Sequence, residues 1–511
     1  MSNGAKYSDR YRDALGPGWR GPKRTARDGV NACGNAALYD ARTAFAAGQG
    51  MPREIASQRD VESAIAANRF GLGARPGDLA QLAPDSRGWL AGQLRGAPPR
   101  ILDPTLRGSA EILAESVEIV RERRADAGAA VKLGELYRPT YVAEATARLR
   151  AAVASDRPFI ERLTQFWTNH FAVSVDKFKV LGVAGAFERE AIRPNVLGTF
   201  SDLTLAVEQH PAMLLYLDNE TSIGPGSPLA LRVARRRPDA RVGINENLAR
   251  EIMELHTLGV NGGYTQADVT TFAKVISGWS IGGGQGRLAS GAPGRFIFRP
   301  EFHEPGPQVI LGTRYEQPGI EQGEAVLRAL SLHAATARHI ATKLTRHFVS
   351  DDPPPAVVER LTHAFMASGG DLPSVYRALI HSPESWGEPL VKYKTPSDYL
   401  ISSFRGLGLP VEGRGALAGL ELLGQRTYSP GSPAGWPDGG SDWDGASALL
   451  KRIEWAERLG ERLAARLDAR ELAAQLLGGT LGEGTRTAIA RAASAAQALT
   501  LLLASPEFLR R

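Results

Sequence analysis

Apolar residues recur every three to four positions along most of the chain, the spacing that places them on one face of an α-helix. The pattern begins near Ser57 and continues to the end of the sequence. The predicted helices lie at 109–152 with a break at Arg138-Pro139, 159–171, 184–192, 203–217 with a break at His210-Pro211, 245–258, 266–277, 321–332, 334–348, 354–367, 371–381, 395–407, 415–422, 444–466, 469–476 and 484–504. The predicted fold class is therefore mostly α.

Three stretches interrupt the helical pattern. Residues 221–243 are rich in Gly, Pro and Arg, which predicts an exposed loop, and a loop rich in Pro, Gly and Trp is predicted at 426–443. Between 294 and 315, the segments RFIFRPEF and QVILGTRY alternate in polarity or carry β-branched residues, and a Pro/Gly turn separates them. This arrangement predicts a small β-hairpin.

The domain organisation follows from the same pattern. Residues 1–56 are rich in Gly, Ala and Arg without a sustained period, which predicts a poorly ordered N-terminal extension. No clear linker divides the remainder, so 57–511 are predicted to form one large multi-helical domain.

Composition excludes some classes of protein. The 511 residues are 43% hydrophobic and include no apolar run long enough to span a membrane, which predicts a soluble protein. The net charge of +6 comes from an excess of Arg, which favours acidic partners but is also what a compositional bias gives. No nucleic-acid-reading module accompanies it, so nucleic acid is not expected as a partner. The single cysteine, Cys33, cannot form an intramolecular disulfide.

The most patterned segment runs from Asn245 to Trp279. At 100° per residue, Asn247, Glu251 and Glu254 lie within about 60° of one another, and His256 lies about 140° from Glu251. A metal shared by these groups would need ligands from other helices. Thr265 and Asp268 have the spacing of a capping box and are predicted to start the next helix.

Two further helices carry candidate chemistry. Asn169 and His170 follow an aromatic-rich helix face, so they either line a pocket or belong to a core helix with a hydrogen-bonded histidine. His339, Lys343 and His347 recur every fourth residue, so they form either an anion site or a solvated face. Phosphate-binding loops, nucleophile elbows and zinc motifs are all missing from the sequence.

These segments resemble the bacterial domain-of-unknown-function 1800 family. The resemblance rests on FWTNHF at 166–171 and on NENLAREIMELHTLGV at 245–260, followed by a Gly-Gly-Tyr turn and Gly278-Trp279. Further similar segments are 68–73, 210–214, 303–304, 343–348, 394–396, 424–437 and Trp443. The resemblance covers about residues 57–511, and it implies no established catalytic residues.

The resemblance also carries expectations about location and partners. Many members resemble exported proteins, often encoded beside a protein that resembles sulfatases and phosphatases. No leader is visible at the N-terminus here, which predicts a cytoplasmic protein as the sequence is written. An exported or periplasmic protein is the alternative if the start is misassigned.

Two functions remain open from the sequence. The first is an enzyme with a polar pocket between helices, with candidate catalytic residues His170, Glu251, Glu254 and His256 and candidate substrate-binding residues Asn169, Asn247 and Lys343. Carboxylate and imidazole groups would suit a divalent metal as its cofactor. The second is a non-enzymatic binding or assembly protein that acts with a phosphatase- or sulfatase-like partner. Its polar groups would form a buried network that fixes helix packing.

Overall fold

Helices make up nearly all of the regular structure, as the apolar spacing predicts. A computed structural model describes residues 57–122, 128–237 and 243–511, so the predicted N-terminal extension at 1–56 lies outside the described residues. The helices of the first half are α1 (Gln58–Ile65), α2 (Asp78–Leu82), α3 (Ser86–Gln93), α4 (Ser109–Glu122), α5 (Gly128–Ala154), α6 (Pro158–His170), α7 (Ala184–Phe187), α8 (Phe200–Glu208), α9 (Pro211–Tyr216), α10 (Pro228–Arg236), α11 (Asn247–Glu251) and α12 (Gln266–Val275).

Ten more helices follow in the second half of the described chain. They are α13 (Ile320–Ser331), α14 (Ala334–Phe348), α15 (Pro355–Ala367), α16 (Leu372–His381), α17 (Pro396–Gly406), α18 (Gly413–Leu423), α19 (Ala446–Leu463), α20 (Ala469–Leu477), α21 (Glu483–Ala490) and α22 (Ala495–Leu503). The predicted helix at 484–504 is thus two helices, because Ser494 accepts a hydrogen bond from the backbone N–H of Gln497 and starts a new one.

The strands of the described chain form two short antiparallel sheets. Strand β1 (Trp279–Ile281) pairs with β2 (Phe296–Phe298), and β3 (Gln308–Ile310) pairs with β4 (Thr313–Tyr315). A small hairpin within 294–315 is confirmed, but the predicted pairing of RFIFRPEF with QVILGTRY is wrong. Leu311 and Gly312 both adopt positive φ, at 50° and 74°, which makes them the two-residue turn of a self-contained hairpin.

Two sequence predictions about loops and breaks are also wrong. Proline 139 does not end a helix, because it lies inside α5 on the exposed face, where water can satisfy the carbonyl left without a donor. The predicted loop at 221–243 contains α10. Pro228 occupies the first turn and Ser227 caps it, so the proline starts this helix rather than preventing one.

The hydrophobic core surrounds α6, which carries most of its residues inside the protein. Trp167 is fully buried, and its ring stacks on Phe171 at 5.9 Å and lies 5.6 Å from Phe200 on α8. Trp167 Nε1 donates to the hydroxyl of Tyr376 on α16 at 2.6 Å. These contacts fix α6 against α8 and α16, and they set the orientation of the polar residues on its last two turns.

The described residues form one compact unit. Within them, no helix is both long and apolar enough to cross a membrane.

Candidate functional site

A cavity of about 90 Å³ lies where five parts of the chain meet. Its walls come from α5 and α6, the last turn of α14, the first turn of α17, and the segment 420–438. The lining residues are Arg148, Arg162, Gln165, Thr168, Asn169, Ala172, Val173, His347, Thr395, Ser397, Asp398, Leu420, Gln425, Arg426, Thr427, Tyr428, Pro430, Trp436, Pro437 and Asp438. Most of the lining residues are polar, and their convergence on one cavity makes it the candidate site.

An Asp–His pair lines this cavity. Nδ1 of His347 lies 3.0 Å from Oδ1 of Asp438. Although burial pushes it upward, His347 and Lys392 hold the pKa of Asp438 below its ordinary value, so the group is a carboxylate. A carboxylate only accepts hydrogen bonds, so Nδ1 of His347 carries the proton and donates it. Burial lowers the pKa of His347 to about 4, which keeps the ring neutral at neutral pH.

Several buried polar atoms of the lining residues have no hydrogen-bond partner in the described part of the chain. Apart from Oδ2 of Asp398, which lies 2.9 Å from Nε of Arg511, they are Nε2 of Gln165, Nε2 of His347, Oγ of Ser397 and Oγ1 of Thr427. Buried polar groups are nearly always paired, with protein or with ordered water. Four unpaired groups around one cavity therefore indicate a space built to hold a polar occupant.

Asn169 positions the loop that carries Asp438. Its amide nitrogen donates to the carbonyl of Trp436 at 2.9 Å, and its amide oxygen accepts from the backbone N–H of Trp436 at 2.7 Å. Gly435 makes this approach possible, because a Cβ there would lie 2.3 Å from the backbone oxygen of Asn169. Lys392 adds a second anchor, since its Nζ donates to the carbonyl of Asp438 at 2.5 Å.

Two arginines, the buried Arg162 and the half-buried Arg148, form one side of the cavity. Arg162 donates through Nε to the carbonyl of Gly71 at 2.6 Å and through Nη1 to Asp398 at 3.0 Å. Arg148 donates through Nε to Glu188 at 2.6 Å and lies over the ring of Tyr428. These bonds hold both guanidinium groups in place.

Backbone strain is also found at this cavity. Tyr428 has a φ of 54°, in the left-handed region that residues with a side chain seldom adopt. The hydroxyl of Tyr428 donates to Glu188 at 3.2 Å, and its carbonyl accepts from Val175 at 2.8 Å. Strained residues of this kind cluster at functional sites, where the surrounding contacts hold them.

A cluster of imidazoles adjoins the cavity on the other side of α6. The ring of His170 lies 6.1 Å from that of His256 and 6.2 Å from that of His339. Nδ1 of His256 contacts Oε1 of the fully buried Glu208 at 2.8 Å. Lys343 influences the pKa of both His170 and His339, and burial lowers its own pKa to about 8. Lys343 forms no hydrogen bond or ion pair with the rest of the described chain.

A π-helical turn, Ile252–His256, continues α11 and places His256 in this cluster. Its backbone carbonyls also orient the other two histidines. Nε2 of His170 donates to the carbonyl of His256, and Nε2 of His339 donates to the carbonyl of Leu255, each at 3.1 Å. The 100° spacing assumed from the sequence therefore does not hold across this turn.

The structure brings some of the predicted site residues together. His170, His256 and Lys343 share the imidazole cluster, and Asn169 lines the cavity. The carboxylates do not join them: Glu251 and Glu254 are half-buried on the outer side of the π turn, and Asn247 is exposed. His339 and His347 are half-buried and form hydrogen bonds with Leu255 and Asp438, which argues against the solvated face that was one of the two interpretations of this stripe.

Most of the residues that line the cavity are not marked by the helical pattern of the sequence. These include Asp438, Asp398 and the arginines. The segments 394–396 and 424–437 were noted only for their family resemblance. The signal was the loop WPD at 436–438, which places a carboxylate within a Pro/Gly-rich stretch where site residues often lie.

The described residues contain no group of three or more His, Cys, Asp or Glu side chains arranged to hold a metal ion. The divalent metal suggested by the residue types therefore finds no ligand set in this part of the chain.

Comparison with known proteins gives one match. The model of a family described as "Protein of unknown function (DUF1800)" matches residues 65–510 and so includes every residue that lines the cavity. No curated protein and no solved structure matches the chain.

Proposed function

Since the chain belongs to the DUF1800 family, which is described as being of unknown function, we propose its function from the cavity itself: an enzyme in which His347 is a general base. The observation that carries this proposal is the pairing of His347 and Asp438. The carboxylate fixes the protonated Nδ1, which leaves Nε2 with its lone pair and without a protein partner. This is the tautomer and orientation that a base needs.

In this mechanism Nε2 of His347 removes a proton from a water molecule or from a hydroxyl group of the substrate. Asp438 stabilises the imidazolium that forms, because its charge lies 3.0 Å from Nδ1. Asn169 and Lys392 act as positioning residues, since both hold the loop that presents Asp438.

The test measures the rates at which three esters are hydrolysed: nitrophenyl acetate, nitrophenyl phosphate and nitrophenyl sulfate. We expect turnover of at least one of them, lowered by roughly 10²- to 10⁴-fold in His347→Gln. The neutral ring is the active form, so kcat/KM should fall only as the pH drops through the pKa of about 4. His363→Gln, which removes an exposed histidine on α15, is the matched control.

Asp438→Asn should lower the rate as well, because an amide no longer selects the Nδ1-protonated ring. Equal rates in the wild type and in His347→Gln would refute the role of the base. No turnover of any of the three esters would favour the second candidate function.

That second candidate is a binding or assembly protein acting with a phosphatase- or sulfatase-like partner. Some buried polar networks already find their hydrogen-bond partners within the protein, which favours this second candidate. Arg193 bonds both oxygens of Glu161, at 2.8 and 2.7 Å, and also contacts Glu188, and all three are fully buried. Such a network fixes helix packing without needing a ligand. Co-purification of a partner by wild type and His347→Gln alike would support this function.

A further inference from the structure

We infer that the occupant of the cavity carries a compact oxyanion, such as a carboxylate, phosphate or sulfate group, which Arg148, Arg162 and Arg426 bind. This inference rests on the proposed function and names the chemical class of its substrate. It depends on the balance of charge around the cavity, on the unused donors of the arginines, and on the size of the space.

The charges that line the cavity are unequal. Three arginines face two carboxylates there. Both carboxylates are already committed: Asp398 lies within 3.0 Å of Arg162 and 2.9 Å of Arg511, and Asp438 contacts His347 and Lys392. Arg148 and Arg426 also have carboxylate partners outside the lining, Glu188 at 2.6 Å and Asp176 at 3.8 Å, so an anion would add to these pairs rather than neutralise bare charges.

A buried lysine lies next to this lining. Within the described chain, Nζ of Lys394 donates to the hydroxyl of Ser402 at 3.1 Å and lies 4.3 Å from the ring of Phe508. Burial lowers the pKa of Lys394 to about 7, and a nearby anion would favour its charged form. Placing an uncompensated charge in a protein interior is costly. An anion in the cavity would reduce this cost for Lys394.

The arginines retain donors for such an anion. The hydrogen bonds that Arg148 forms with the rest of the described chain use only its Nε, so both terminal nitrogens remain. Arg162 uses Nε and Nη1, so Nη2 remains. The planar fork of a guanidinium matches the two oxygens of a carboxylate, phosphate or sulfate group. The hydroxyls of Ser397 and Thr427 and the amide of Gln165 add neutral donors at the same lining.

The volume of the cavity admits such a ligand. A cavity needs only about 10–15 Å³ to hold one water molecule, and this one measures about 90 Å³. A compact anionic group therefore fits, and the substrate would be an ester that carries it.

A second depression on the surface supplies the control. It lies between α5 and the start of α18, is larger and more open, and is lined by Arg138, Arg150 and Arg414. Arg414 is exposed, like Arg426, but lies outside the proposed site. If anions simply collect at exposed arginines, removal of Arg414 should matter as much as removal of Arg426.

The experiment measures binding of inorganic phosphate, sulfate and acetate to the full chain by calorimetry at constant ionic strength. We expect at least one of the three to bind with a Kd at or below about 1 mM. Arg426→Gln and Arg148→Gln should each raise that Kd roughly tenfold, because each removes a charged hydrogen-bond donor. Arg414→Gln should change it less than about twofold. Circular dichroism and thermal melts check that each variant is folded.

Two results would overturn the inference: no binding of any of the three anions at about 10 mM, or equal weakening by Arg414→Gln and Arg426→Gln. Arg426→Gln keeps the test decisive if Arg148→Gln does not fold, because the Arg426 side chain is 46% exposed. If nitrophenyl acetate, which is neutral, is hydrolysed with a dependence on His347 but no anion binds, the role of His347 as a base stands and the anion site is rejected. If an anion binds with a dependence on Arg426 but turnover is unaffected in His347→Gln, the anion site stands and the role of His347 is rejected.

Discussion

Both the nitrogen and the oxygen of the Asn169 side-chain amide form hydrogen bonds with the backbone of Trp436, a residue far along the chain. The amide imitates a neighbouring β-strand, because it both donates to and accepts from Trp436. The adjoining Gly435 has a φ of 85° and leaves no space for a Cβ. Asn169 and Lys392 thus anchor the part of the loop that carries Trp436 and Asp438.

Replacing Asn169 by Ala should lower the free energy of unfolding by about 2 kcal/mol, because two hydrogen bonds are lost and the partner groups of Trp436 are left without them. Urea denaturation measures the change. The matched control is Asn247→Ala, which removes an exposed asparagine and should change the stability by less than about 0.5 kcal/mol. Equal effects of the two substitutions would contradict the anchoring role.

The sequence could indicate some of these residues and not others for a physical reason. Asn169, His170 and Lys343 can be predicted because each lies on a helix with a recognisable apolar pattern, the first two on α6 and the third on α14. Asp438 lies in a loop without periodicity, so no local pattern links it to His347. The pairing of the cavity's residues is a property of tertiary packing, which spacing along one element does not reveal.

At the scale of elements, local patterns predicted the helices well and failed where a residue type plays an unusual part. Pro228 and Pro139 illustrate this, since one starts a helix and the other lies within one. The π turn at Ile252–His256 is a third case, because an apolar pattern cannot report an extra residue in a turn. The capping box of Thr265 and Asp268 at the start of α12 was predicted and is confirmed.

Pro139 has a measurable consequence for α5. A proline inside a helix removes a backbone hydrogen bond and costs about 3 kcal/mol relative to alanine, offset by roughly 1 kcal/mol through the unfolded chain. Pro139→Ala should therefore raise the free energy of unfolding by about 1–2 kcal/mol, measured by urea denaturation. Arg138→Ala, at the exposed neighbouring position, is the control and should have little effect. A destabilised Pro139→Ala would show that the ring makes contacts that outweigh the missing bond.

At the scale of the whole molecule, several histidines lie inside one polar region and are kept neutral. Burial lowers the pKa of His170 well below its ordinary value, and lowers those of His339 and His347 to about 4. In the unfolded chain the same residues take up protons near pH 6.5. Between these values the unfolded state binds more protons than the folded state, so protonation favours unfolding.

The stability of the protein should therefore fall as the pH is lowered from about 6.5 towards 4. Each of these histidines contributes up to about 1.4 kcal/mol per pH unit in that range. Urea denaturation at a series of pH values measures the slope. His347→Gln should make the slope shallower, and His363→Gln should leave it unchanged. A stability that does not vary between pH 6.5 and 5 would contradict the burial of neutral imidazoles.

The separation along the chain of the groups that meet at the cavity has a consequence for folding kinetics. His347 and Asp438 are 91 residues apart, Arg162 and Asp398 are 236 apart, and Asn169 and Trp436 are 267 apart. Contacts between such distant segments form slowly, because a long loop must close before they stabilise anything. The cavity should thus be among the last parts of the protein to fold. A change in the fluorescence of Trp436 should report this late step.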